Sequence, residues 1–171
     1  MRRVIYAFLL IFISFLLQTT VFRALNFGGI APNLMIIVTA AIGFMRNEKS
    51  GLLVGFFSGL LIDIFYGDII GFYALVFMLT GYLNGIFSRI FYPQDMKLPL
   101  SLIALSDLTY GGLCYIFLYL LNGKFIFGYF VMHVMIPEMV YTVLISILFY
   151  PLILMLYHHL DELDRRANNV V

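Results

Sequence analysis

Residues 31–65 read APNLMIIVTAAIGFM (31–45), RNEKS (46–50) and GLLVGFFSGLLIDIF (51–65): two apolar runs of fifteen residues each, parted by a turn with three charges. At ~1.5 Å per residue each run covers about 22 Å, short of the ~30 Å hydrocarbon thickness of a bilayer. A re-entrant hairpin would fit that length, but it would place Arg46, Glu48 and Lys49 at membrane depth. The charged turn therefore predicts two short spans, lengthened by a turn at their ends or set in locally thinned bilayer.

The same alternation continues in both directions. Apolar runs cover 4–22, 31–45, 51–65, 69–91, 98–121 and 125–157, and the charges fall in the gaps. Only 11% of residues are charged, 63% are hydrophobic and the mean hydropathy is +1.03, so the chain cannot furnish a polar shell. In lipid the composition is consistent, since each run satisfies its own backbone as a helix. The expected fold is all-α: a polytopic membrane bundle of six transmembrane helices forming one integral-membrane domain over 1–171. The last run exceeds one span and is interrupted by Gly128 and Pro137. It predicts an interfacial stretch over 125–130, then a span over 131–157 that Pro137 kinks or opens. Arg2 and Arg3 before the first run resemble a signal peptide. Its length and the lack of a small-x-small cleavage pattern predict a retained helix instead.

With six spans, Arg2, Arg3, Arg46, Lys49, Arg89, Lys97, Arg165 and Arg166 share one side, against Arg23 and Lys124 on the other. The positive-inside rule then puts both termini in the cytoplasm. Ten basic against nine acidic residues argue against a nucleic-acid partner. The single Cys114 rules out a disulfide framework or a cysteine-based metal site. With no tryptophan, an interfacial aromatic belt would fall to Tyr66, Tyr92, Tyr129 and Tyr157.

Gly51, Gly55 and Gly59 recur every four residues on the third span, with Ser58 beside them, and Gly81 and Gly85 form a matching pair on the fourth. Such a face lets another helix approach closely. Two uses are open: a docking groove for a partner's transmembrane helix, or tight packing within this bundle. The intramembrane polar residues are Asp63, Asn84, Asp107 and Glu138. Asp63, near the far end of the third span, can cap the next helix across the Gly67–Gly71 turn, pair with a partner's basic group or bind a cation. Asp107 and Glu138 lie deeper, with no intramembrane Lys or Arg to match them. They invite proton- or cation-coupled transport on one reading. On the other they are protonated or hydrogen-bonded, to Asn84 or to Tyr110 and Tyr141, each three residues on along its own helix. His133 and Glu138 are five apart, a poor spacing for metal ligands, and no serine- or aspartyl-protease context surrounds Ser58 or the aspartates. No catalytic residue, cofactor or metal site is expected.

Pro32-Asn33-Leu34, the Gly51-to-Gly59 helix ending in Leu61-Ile62-Asp63, then Gly67, Gly71, Gly81-Tyr82, the late Pro137 and Tyr150-Pro151 resemble, in that order, the MreD family. These are rod-shape-determining membrane proteins, and the resemblance covers nearly the whole chain. The resemblance assigns no role to Glu138 after the proline. The resemblance implies a non-enzymatic part of the cell-elongation machinery in the bacterial cytoplasmic membrane. It would work with MreC, with MreB, and with the RodA–transpeptidase peptidoglycan synthase, among membrane lipid. It also implies a fold similar to the S components of vitamin transporters. An S component is the alternative function, with Asp63, Asp68 and Asn122 lining an extracytoplasmic pocket.

Overall fold

A computed structural model describes residues 2–25, 29–67, 69–90, 96–121, 123 and 125–168, with side chains between 4 and 162. Asp68, Tyr92, Asn122 and Lys124 lie outside the described residues, as do the side chains of Arg2, Arg3, Arg165 and Arg166. The described residues form an all-α bundle of six helices. Helix α1 is Arg2–Leu17, continued by a π-helical turn Gln18–Phe22; α2 is Leu34–Met45 and α3 is Glu48–Tyr66. Helix α4 is Phe72–Ile86, closing in a 3-10 turn Phe87–Ile90, and α5 is Lys97–Cys114, continued by a π turn Tyr115–Leu120. Helix α6 begins with Phe127–Phe130, passes through a π turn Val131–Met135 and runs on as Ile136–Asn168. Among the described residues, four segments are long and apolar enough to cross a membrane: Val4–Phe22, Glu48–Tyr66, Lys97–Leu120 and Phe127–Glu162. The protein is a membrane protein.

The two short runs differ in how they end. Asn47 caps α3 by accepting from the Ser50 amide at 2.8 Å, so the helix starts inside the charged turn and reaches nineteen residues. Helix α2 keeps only twelve, because Pro32 and Asn33 hold the chain outside the helix. It stands at the centre of the bundle, touching each of the other five helices, with Leu34 to Phe44 all buried. An α2 that is apolar all round needs protein on every side, and here it has it. Helix α1 is the opposite case. Ile11, Ser14 and Phe15 face inward, while Ile5, Leu9, Phe12, Ile13 and Leu16 are exposed.

Helix α6 runs without a break through the junction expected between the stretch over 125–130 and the span over 131–157. The Phe130 amide already bonds the Ile126 carbonyl at 3.0 Å, and the helix continues unbroken. The wide turn over Val131–Met135 accommodates Pro137, which has no amide hydrogen for the ladder and crowds the carbonyl four residues back. A similar widening ends α1. There the Thr19 hydroxyl donates to the Phe15 carbonyl at 2.8 Å and competes with the helical bond.

Helices α3 and α4 run antiparallel, with Gly51 against Gly81, Gly59 against Tyr73 and Gly85 against Glu48. The start of α4 meets the end of α5, Phe72 to Phe117 at 5.6 Å between ring centroids. Arg46 pairs with Asp161 at 3.4 Å and lies over the Tyr157 ring at 5.1 Å. The α2–α3 turn, the end of α4, the start of α5 and the far part of α6 therefore share one end of the bundle, and Arg23 lies at the other. Tyr66 and Tyr129 are exposed, as a belt requires. Tyr157 is not in that belt: it is 6% exposed, beneath Arg46.

Candidate functional site

The glycine face is occupied by the chain itself. A Cβ on Gly55 would lie 2.6 Å from the Phe77 carbonyl carbon and 2.9 Å from the Met78 nitrogen. One on Gly51 would lie 2.7 Å from the Gly81 carbonyl carbon, one on Gly59 2.5 Å from Ala74 Cα, and one on Gly85 2.5 Å from the Glu48 nitrogen. Gly43 of α2 joins the seam, its Cβ position 2.6 Å from the Gly81 carbonyl oxygen. These are backbone atoms, which cannot rotate aside. Of the two uses open to Gly51, Gly55, Gly59, Gly81 and Gly85, packing within the bundle is the one seen: α3 and α4 close on each other there. Ser58, beside these glycines on α3, is 0% exposed.

Asp63 caps α4 from across the turn. Its Oδ2 accepts from the Gly71 amide at 3.0 Å and the Ala74 amide at 2.8 Å, and its Oδ1 accepts from the Tyr73 amide at 2.9 Å. The first amides of a helix have no partner in the helix itself, and a carboxylate also matches the positive end of its dipole. Gly71, at φ +99°, supplies the left-handed turn that brings the chain back over the carboxylate. With Asp63 2% exposed and bonded this way, the capping use is the one realised.

Asn84 lies on α4 facing α5. Its amide donates to the Thr80 carbonyl at 2.8 Å and to the Ser106 hydroxyl at 2.7 Å. It thus ties α4 to the residue beside Asp107 instead of to Asp107 or Glu138.

Those two carboxyls meet at the head of α2. Asn33 Oδ1 caps α2 by accepting from the Ile36 amide at 3.2 Å, and the Asn33 amide donates to the Thr142 hydroxyl at 3.0 Å. The side chain of Thr142 is in polar contact with Asp107, and that of Asn33 with Glu138. Gln18 of α1 completes the cap, its Oε1 accepting from the Met35 amide at 3.1 Å. Four helices, α1, α2, α5 and α6, thus converge on one polar hub because a buried helix end must find its acceptors in protein. Tyr110 contacts Cys114, and the Tyr141 hydroxyl donates to the Leu25 carbonyl at 3.3 Å. Asp107 is 4% exposed and its Oδ1 has no hydrogen-bond partner among the described residues.

Thr142, Gln18 and Ser106 were not singled out from the sequence. An asparagine after a proline and before an apolar run is a helix-cap signal, but the acceptors that serve it come from residues remote in sequence. His133 faces outward, stacked on Tyr129 at 4.2 Å. Among the described residues no three His, Cys, Asp or Glu side chains gather as a metal site.

The sequence features that marked the chain now have structural places: Asn33 caps the central helix, Gly51 to Gly59 form the α3–α4 seam, and Asp63 with Gly71 makes the cap of α4. Comparison with curated proteins and with solved structures finds no match. Comparison with family models finds one, to the rod shape-determining protein MreD, over residues 1–160. That match spans nearly the whole length, and the chain belongs to the MreD family of rod shape-determining membrane proteins.

Proposed function

We propose that this protein is a non-enzymatic scaffold of the bacterial cell-elongation machinery, and that it holds MreC and so helps regulate peptidoglycan synthesis and cell shape. The observation that carries this reading is the family match over residues 1–160. The architecture is in keeping with it. The connections are short, so the outer faces of the helices are the main surface the protein offers to a partner. With the α3–α4 glycine seam filled from within, MreC would dock on an outer face. MreB and the RodA–transpeptidase synthase would be reached through that complex.

The protein would sit in the cytoplasmic (inner) membrane with both termini in the cytoplasm. Supporting this orientation, Arg46, Lys49, Arg89 and Lys97 belong to one end of the bundle and Arg23 to the other. The test is co-purification from membranes of the native host with a tag on this chain. The reading expects MreC to be retained through detergent washes. A preparation that keeps the folded chain and loses MreC counts against it.

A further inference from the structure

Helix α1 leans on the bundle through few side chains, and between it and α3 runs a groove made of two cavities in series. The first, about 380 Å³, has a polar mouth of Arg46, Asn47 and Ser50. The second, about 160 Å³, continues toward Leu60 and Ile64. Phe8, Ile11 and Phe57 line both. We infer that this groove is a binding site for one glycerophospholipid, with its phosphate at Arg46 and an acyl chain along α1 and α3.

Three observations carry it. The first is length: from Ser50 to Ile64 the groove follows α3 for about 21 Å, enough for a head group and one ~15 Å leaflet of hydrocarbon. The second is size: the two cavities hold on the order of eighteen groups of ~30 Å³ each. That is the scale of an acyl chain. The third is the distribution of charge. Among the described residues, Arg46 is the one cation lining either cavity, and it sits at the mouth with its side chain 21% exposed. Its guanidinium is held in place by the Tyr157 ring and by Asp161, whose contact uses one of five N–H donors. The remaining donors suit a phosphate, and Asp161, 44% exposed at the rim, is the anion that a phosphate must rival.

The experiment is native mass spectrometry of the full chain titrated with phosphatidylglycerol, or with diacylglycerol carrying the same acyl chains. The phosphate contact predicts one phosphatidylglycerol bound about tenfold more tightly than diacylglycerol. Arg46→Ala should bring the two lipids within about twofold, and Asp161→Asn should widen the preference. Ala7→Phe, which adds a ring from the outward helix α1, should weaken both lipids. Thermal unfolding of each variant confirms that the bundle is intact. Equal binding of the two lipids overturns the proposal, as does a preference that survives Arg46→Ala. So does a wild-type protein whose groove takes a second protein chain and no lipid. None of these outcomes depends on whether the protein acts in cell elongation.

Discussion

Replacing Gly55 by alanine adds one methyl group where α3 crosses α4. That methyl would fall 2.6 Å from the carbonyl carbon of Phe77 and 2.9 Å from the Met78 nitrogen, both backbone. Relief therefore requires the two helices to separate, which also loosens the contacts of Gly51 and Gly59 on either side. Overpacking of this kind costs about 1–3 kcal/mol, and the rigidity of the obstacle puts Gly55 at the upper end. Against it stands the gain of roughly 1 kcal/mol from glycine to alanine in a helix interior, leaving about 2 kcal/mol of net loss. Gly112 on α5 is the internal control, since a Cβ there meets nothing within 4 Å. At about 2–4 °C per kcal/mol for a chain of this size, Gly55→Ala should melt about 4–8 °C below the wild type in detergent. Gly112→Ala should melt at or slightly above it. A Gly55→Ala protein as stable as the wild type would refute the reasoning, because the seam would then have slack that the geometry denies.

Asp63→Ala removes the acceptor for three amides, and at about 1.5–3 kcal/mol for a charged hydrogen bond should lower stability by at least ~3 kcal/mol; Asp63→Asn should recover part of it. Unfolding in denaturing detergent reads both. Thr142→Val leaves the Asn33 amide buried without its acceptor and should cost about 1–3 kcal/mol, whereas Asp107→Asn, which keeps an acceptor beside Thr142, should stay within about 1 kcal/mol of wild type. If Asp107→Asn together with Glu138→Gln leaves growth and shape unchanged, proton-coupled transport through this pair has no basis. Fusions of a cytoplasm-dependent reporter should be active at residue 1 and residue 171 and inactive after Arg23; the opposite pattern would reverse the orientation.

Much of the bundle is legible in the sequence. Six apolar runs, the charged turn at Arg46 to Lys49 and the asymmetry of basic residues follow from what a bilayer allows a backbone to do. The glycine spacing announced a close helix contact but not its partner, because a face without side chains serves an internal helix and a foreign one equally well. Helix α2 was harder. Its run looked like a short span, yet its uniform apolarity, with Thr39 the single polar side chain between Leu34 and Met45, is the mark of a helix enclosed by others. The contacts of Asp107 and Glu138 with Thr142 and Asn33 were hidden for a related reason. Periodicity reports neighbours on one helix, such as Tyr110 and Tyr141, whereas Asn33 and Thr142 arrive from other helices. The groove at Arg46 was invisible for the same cause, being assembled from α1, α3 and the far part of α6.

The central claim, that this protein supports cell elongation, is tested most directly by depleting it in its native host and measuring cell width by microscopy. The account predicts rods that swell toward spheres as the protein is lost and recover when it is restored. Rods that keep their width through depletion, above all with a newly acquired vitamin requirement, would contradict it and favour a transporter component.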